Sequence, residues 1–332
     1  QLSCFQFYMP ILSPDSLYHI RYYHAIMLQC MLKRNDTMKD YAIIAIAYNQ
    51  TVRIYVASST HLVEEARKIH DTWPTATAAL GRFLTVSAMM GLMYKEGERI
   101  TLRIKGDGPV GTMLVESNHI GEVRAEIQNP HVYLKYEDGP KKGKLNVGQA
   151  VGRGFLHITK DLGMKDFFTS SSELQTGEIG DDFTYYFATS EQTPASVGVG
   201  VLVDTDQTCL ASGGYILQLM PNVSEETISS IESLIKTLPP MSTLIHEGKT
   251  PEEILSLLAN NTEHILRKHP ISYTCHCSKD GFARSLSALD EETLHSLIHE
   301  DGQAEIECHF CKKKYLFSKD ELQTIQISRK KV

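Results

Sequence analysis

An α+β fold is what this sequence predicts, with strands and helices gathered in groups rather than alternating as in a doubly wound sheet. Three observations carry that expectation. β-rich runs such as Tyr41 to Tyr48, Thr51 to Ser58 and Arg99 to Lys105 are closed off by turn residues. Capped stretches with a helical period stand between and after them. The C-terminus is set apart, because four of the 7 cysteines fall there as two tight pairs. The expected layout is a mixed sheet-and-helix core over 38–221, a helical linker over 222–270 and a small module over 271–332. An extension over 1–37 precedes them.

That extension is rich in aromatics, shows no sustained period and is interrupted by Pro10 and Pro14. Its most apolar piece, Ala25 to Leu32, contains Gln29 and is bordered by Arg21, Lys33 and Arg34, which makes a poor secretory core with no small-residue cleavage site after it. The stretch is expected to lie outside the fold, as a non-native start upstream of Met38. Cys4 and Cys30, inside it, are given no role.

From Met38 the pattern sharpens. Tyr41 to Tyr48 and Thr51 to Ser58 form a hairpin across Asn49-Gln50. Thr60 is placed to cap a helix through about His70. Pro74 opens a second helix to about Tyr94, with Ala78, Phe83, Val86, Met90 and Met93 expected inside. Its methionines read as core packing rather than a soft binding surface. Arg99 to Lys105, Val110 to Ser117 and Gly121 to Gln128 are three more strands, and residues 137–144 a solvated loop. A strand near Phe155 to Thr159, a helix over Asp181 to Ser190, and strands over Ser196 to Asp204 and Gly214 to Met220 complete the core.

Beyond Pro221 the texture becomes helical. Asn222 to Leu238 places Ile228, Ile231, Leu234 and Ile235 on one face, and Pro239-Pro240 stops it. Thr250, Pro251 and Glu253 form a capping box for another helix with Ile254, Leu257 and Leu258 apolar. An ordinary helical linker is the plain reading of this stretch. In the module, Ser287 and Asp290 can start a helix to about Ile298. Ala304 to Cys308 and Lys314 to Phe317 form a strand and its return, and Ser318 to Glu321 a further capping box.

The module reads Cys275-His276-Cys277, a spacer over 278–307, then Cys308-His309-Phe310-Cys311. Two close pairs of thiolates supply the four tetrahedral ligands of Zn²⁺ with little strain. Four thiolates leave such a site with a net negative charge of about two units. Lys279, Lys312, Lys313 and Lys314 are near enough in sequence to offset it, or simply keep the module soluble. His276 or His309 could replace a sulfur, but four sulfurs already fill the shell, so both are read as unoccupied flanking residues. The Cys-x-Cys spacing is tighter than structural zinc sites usually show. Joining those two sulfurs would close a strained ring of the labile, regulatory kind, but on spacing alone a static zinc ribbon is the better reading.

Other features exclude more than they suggest. The glycine-rich Gly106 to Gly111 lacks the Gly-Lys-Ser/Thr of a phosphate loop, and Val197 to Val201 lacks the third glycine of a dinucleotide fingerprint. No nucleophile elbow is present, so nothing points to an enzyme. Cys209 stands alone and is read as a buried structural thiol. A net charge of −7 argues against a nucleic-acid coat, and residues 273–332 balance 9 Lys/Arg against 10 Asp/Glu without a basic face. No run approaches the ~18 apolar residues that span a membrane. An odd cysteine count with a metal-like cluster fits a reducing cytoplasm rather than a secreted disulfide framework.

From Met38 onward the chain resembles the bacterial 33-kDa heat-shock proteins, a family of redox-regulated holdase chaperones. The resemblance rests on Met38 to Tyr41, on His70 to Ala76 with Gly81-Arg82, on the Gly106 to Gly111 loop, on Gln175 to Asp182, and above all on the two cysteine pairs. It implies that Cys275, Cys277, Cys308 and Cys311 hold one zinc ion in a reduced, inactive form. It further implies that oxidation joins Cys275 to Cys277 and Cys308 to Cys311, expels the metal and unfolds the module. The oxidised form would bind unfolding client proteins without ATP and dimerise. A nucleic-acid-binding zinc ribbon and a thiol–disulfide oxidoreductase are the rivals. Charge speaks against the first, and the strand setting of Cys308 and Cys311 against the second.

Overall fold

The computed structural model describes residues 40–329, so the expectations for 1–37, for Met38 and for Cys4 and Cys30 lie outside the described residues. In chain order come β1 (Tyr41–Ala47), β2 (Val52–Ser58), α1 (Thr60–His70), α2 (Pro74–Gly91), β3 (Arg99–Gly106), β4 (Thr112–Asn118) and β5 (Glu122–Ile127). Then follow α3 (Val147–Val151), β6 (Gly154–Asp161), β7 (Phe168–Glu173), α4 (Gly180–Thr189), β8 (Ala195–Val203) and β9 (Cys209–Leu219). The remainder is α5 (Glu225–Thr237), α6 (Met241–His246), α7 (Pro251–Leu258), β10 (His264–Pro270), β11 (Ser272–Tyr273), α8 (Lys279–Ser287), α9 (Glu291–Ser296), β12 (Gln303–Glu307), β13 (Lys314–Ser318) and α10 (Lys319–Arg329). The class is α+β, as expected.

Two sheets make the core. One has the order β10-β1-β2-β9-β8 and is antiparallel throughout; the other has the order β11-β5-β4-β3-β6-β7, with only β11 parallel to its neighbour β5. Helix α2 packs on β8 and β9 of the first sheet and on β4 and β5 of the second. Its side chains are therefore buried on every side, Ala78, Phe83, Val86, Met89 and Met90 among them, as a helix apolar all round requires. A Cβ on Gly81 would stand 2.6 Å from the Val63 side chain, so glycine sets how closely α1 and α2 approach.

Strand β1 has two buried faces. Ala42 and Ile44 belong to the core around α2, whereas Ile43, Ala45 and Ala47 face Ile231, Leu244, Ile245, Ile254 and Leu258 of α5, α6 and α7. An apolar run without alternation is the signature of that double burial. The amphipathic helices after Pro221 thus lie on the outer face of the first sheet.

Several expectations need correction. The stretch 222–270 is not helical throughout, because His264–Pro270 forms β10 on the edge of the first sheet, paired with β1. Its side chains are almost all exposed, so backbone pairing makes it a strand and no apolar period announces it. Ser287 ends α8 rather than starting a helix, and Asp290 alone caps α9 by accepting from Thr293 N. Thr60 does not cap α1; Asp40 Oδ2 accepts from Leu62 N at 2.6 Å in its place. The helix from Pro74 ends at Gly91, and Met93 is only partly buried.

Residues 279–325 contribute a third, separate core of Leu286, Leu294, Ile298, Tyr315, Phe317 and Leu322 with a few neighbours. It is small, as expected of a unit that leans on a metal.

Candidate metal centre

The first cysteine pair lies between β11 and α8. Ser278 caps α8 by accepting from Gly281 N at 3.1 Å, so the helix begins just past Cys277. The second pair occupies the turn between β12 and β13. Cys308 N donates to Lys313 O at 2.9 Å and Lys312 N to Cys308 O at 2.8 Å, with Lys312 at φ 59° closing the turn. The backbone N–H of Lys313 points toward Cys311, as the strand–turn–strand pattern leads one to expect.

All four sulfurs lie within 4.8 Å of one another. Cys275 Sγ is 3.7 Å from Cys308 Sγ, and Cys277 Sγ is 3.3 Å from Cys311 Sγ. Sulfurs at ~2.3 Å from a tetrahedral zinc stand about 3.8 Å apart, so the donor set has the right size. These distances exceed the ~2.05 Å of a disulfide, and all four thiols are free. Burial and then the neighbouring sulfurs push the Cys311 thiol up to about 12. Four thiolates cannot crowd together without a cation between them, and a divalent ion would supply it. The residues fit the group.

The lysines are engaged with groups other than the sulfurs, the plainer of the two readings left open for them. Lys279 pairs with Glu321 at 2.6 Å, Lys312 with Glu307 at 3.5 Å and Lys314 with Glu305 at 2.7 Å, while Lys313 lies over the Tyr315 ring. Among the described residues the cation that reaches a sulfur is Arg124 of β5, whose Nη1 is 3.8 Å from Cys275 Sγ. Its guanidinium stacks 4.2 Å from the Phe310 ring and is held by Glu116 on β4. His276 and His309 stand outside the sulfur cluster, and each meets a carboxylate of β5: His276 Nε2 lies 2.9 Å from Glu122 Oε2 and His309 Nδ1 3.0 Å from Glu126 Oε1. The His276 contact holds the Glu122 carboxyl below its usual range.

Tyr273 pins the module to the core. Its buried hydroxyl accepts from Ala125 N at 3.2 Å, has Ala125 O at 3.0 Å and Phe310 O both in reach of its one proton, and lies 3.1 Å from His70 Nε2. Tyr315 OH, donating to Cys277 O at 3.0 Å, ties the two cysteine loops together. The signal for the β5 contacts was present only as the alternation Glu122-Val123-Arg124-Ala125-Glu126, which shows a strand with a charged face but not what meets it.

Fold and site define a two-sheet α+β protein carrying a four-thiol, metal-type module against its second sheet. A family model described as "Hsp33 protein" matches residues 40–318. A "33 kDa chaperonin" of Acholeplasma laidlawii is 54% identical over 285 residues, covering 86% of this chain and 98% of that protein. One from Bacillus subtilis is 48% identical over 288 residues, covering 86% and 98%. The crystal structure of the 33 kDa chaperonin from Thermotoga maritima superposes with a TM-score of 0.81 at 32% identity, covering 89% of this chain and 99% of that one. The chain belongs to the Hsp33 family. Among the described residues no helix is long and apolar enough to cross a membrane.

Proposed function

We propose that the protein is a redox-regulated, ATP-independent holdase of the cytoplasm, a binding protein for unfolding chains and not an enzyme. Cys275, Cys277, Cys308 and Cys311 hold one Zn²⁺ in the reduced form, which is inactive. Held by these four thiolates, a zinc ion would give the two cysteine loops a common node, in a module too small to hold itself. The observation that carries this reading is the convergence of four free thiols, from two distant segments, within 4.8 Å.

Peroxide is the natural oxidant for such thiolates. Cys275 joins Cys277 and Cys308 joins Cys311; at each step two thiolates yield two electrons, and one peroxide with two protons leaves as two waters. No thiolate then remains to hold the ion, which is released. The module loses its node, and β10, which leads into it and pairs with β1 beneath α5, α6 and α7, loses its anchor at one end. Apolar side chains now turned inward on those helices and on the outer face of the first sheet become available to clients. The oxidised form acts as a homodimer.

The test is aggregation of a heat-denatured client, with reduced zinc-loaded protein beside peroxide-treated protein. Suppression only after oxidation, with zinc released into a chromophoric chelator, is expected. Equal suppression by both forms would remove the redox control. No suppression by either would leave only a structural zinc module.

A further inference from the structure

The outward face of β5 meets both cysteine loops at once. Glu122, Arg124 and Glu126 stand at alternate positions, so strand geometry spaces successive ones by about 6.8 Å on one face. Glu122 takes His276, which lies between Cys275 and Cys277; Glu126 takes His309, which lies between Cys308 and Cys311. Arg124, in the middle, reaches Cys275 from the first pair and Phe310 from the second. Because a strand cannot change the spacing of its side chains, all three contacts exist together only while the two pairs are drawn to one point.

We propose that this face is the receptor by which the core reads the state of the cysteine cluster, with Arg124 as its central positioning residue. The proposal rests on the cluster being the zinc–thiolate switch described above. Arg124 is held in place from the core side. Glu116, opposite it in the β4–β5 register, fixes Nε at 2.9 Å and leaves Nη1 aimed at the sulfur. A guanidinium beside a tetrathiolate meets concentrated negative charge, and a contact between charged groups is worth more than a neutral one. Joining Cys275 to Cys277 and Cys308 to Cys311, by the balanced peroxide step given above, erases that charge and separates the loops. All three clasps go together. Release also withdraws Tyr273 and with it β11, whose flanking amides Ser272 N and Thr274 N donate to Gly121 O and Val123 O. The face itself is charged, so it senses the switch and leaves client binding to the apolar surfaces elsewhere.

Hydrogen exchange on the full-length, reduced, zinc-loaded protein tests this. Arg124→Gln and the pair Glu122→Gln with Glu126→Gln are expected to keep one zinc per chain. Amides of residues 271–275 should exchange at least tenfold faster in both variants, equivalent to about 1.4 kcal/mol, while the β12–β13 amides stay protected. Arg124→Lys, which keeps the charge but not the fixed fork, should recover part of the protection. Peroxide-driven zinc release should also quicken in Arg124→Gln. Unchanged exchange at 271–275 in both variants would overturn the proposal. Parent protein that binds no zinc, or keeps its 271–275 protection after full oxidation, would instead sink the switch on which it rests.

Discussion

Two kinds of cysteine in this chain have opposite chemistry for reasons visible in their neighbours. Cys209 opens β9, is buried, and faces the carboxylates of Glu64 and Asp40; burial first, then those charges, push its thiol up to about 12. Such a thiol is inert toward oxidants and alkylating agents for as long as the folded core encloses it, whereas the four module thiols lose their enclosure once the module is stripped of metal. Treating the chelated, reduced protein with iodoacetamide should label Cys275, Cys277, Cys308 and Cys311 and leave Cys209 unlabelled until denaturant is added, as read by peptide mass spectrometry. Native labelling of Cys209 would mean that β9 opens. The clustering of the four and the burial of Cys209 were both legible from spacing, because paired cysteines announce themselves and a lone one in an apolar strand reads as core. His70 was not legible. It is buried against Tyr273, with Lys312 and Glu126 as charged neighbours, and burial first, then Lys312, hold its protonation down to about 4. Since the unfolded value is about 6.5, the unfolded chain takes up a proton first as pH falls. Stability contributed by neutral His70 is intact above about pH 6.5 and declines toward pH 4, the loss at pH 5 reaching about 2 kcal/mol. Denaturant titrations at pH 7.5 and 5 on the parent and on His70→Gln isolate this, because acid effects on the thiolates are common to both. Equal pH dependence in the two proteins would refute it.

Among the elements, those fixed by local signals are legible in the sequence and those fixed by long-range pairing are not. The capping box at Thr250 forms as expected, with Thr250 N donating to Glu253 Oε2 at 2.8 Å and Glu253 N to Thr250 Oγ1 at 3.3 Å. So does the box at Ser318 and Glu321. Each is a matter of three residues. Strand β10 depends instead on β1, more than 200 positions away, and HILRKHP has no period that predicts the partnership. Strand β7, FTSSSE, is too poor in apolar residues to be seen in sequence and exists through its pairing with β6. The linker helices gain most of their stability from burial on the sheet rather than from caps. Ile254, fully buried in α7 among side chains of β1 and β2, carries a large share. Ile254→Ala should cost about 2–5 kcal/mol, seen as a lower denaturation midpoint with the zinc content unchanged. A change within about ±0.5 kcal/mol, the surface norm, would show that α7 is not seated on the sheet in solution.

Across the whole molecule, stability is unevenly shared, and that unevenness suits the proposed switch. The two sheets close around α2 with dozens of buried side chains, whereas the module has eight buried hydrophobic residues in its own cluster. A core that small falls short of the entropy of ordering its chain, and in the proposed reading metal binding would supply the missing folding free energy. Removing the ion under reducing conditions therefore separates the metal from the disulfides, which oxidation changes together. With a chelator and excess thiol reductant, the β12–β13 amides should lose protection, and with them the contacts of His276 and His309 on β5. The ladder between β1 and β2, buried on both faces, should keep its slow exchange. Apo protein in which β12 and β13 stay protected would mean that the module folds on its eight apolar residues alone, and that zinc orients the thiols without holding the unit together. Apo protein in which β1 and β2 also open would mean that β10 transmits the loss across the sheet edge. The module would then be a keystone for the core, and not a detachable reporter resting on β5.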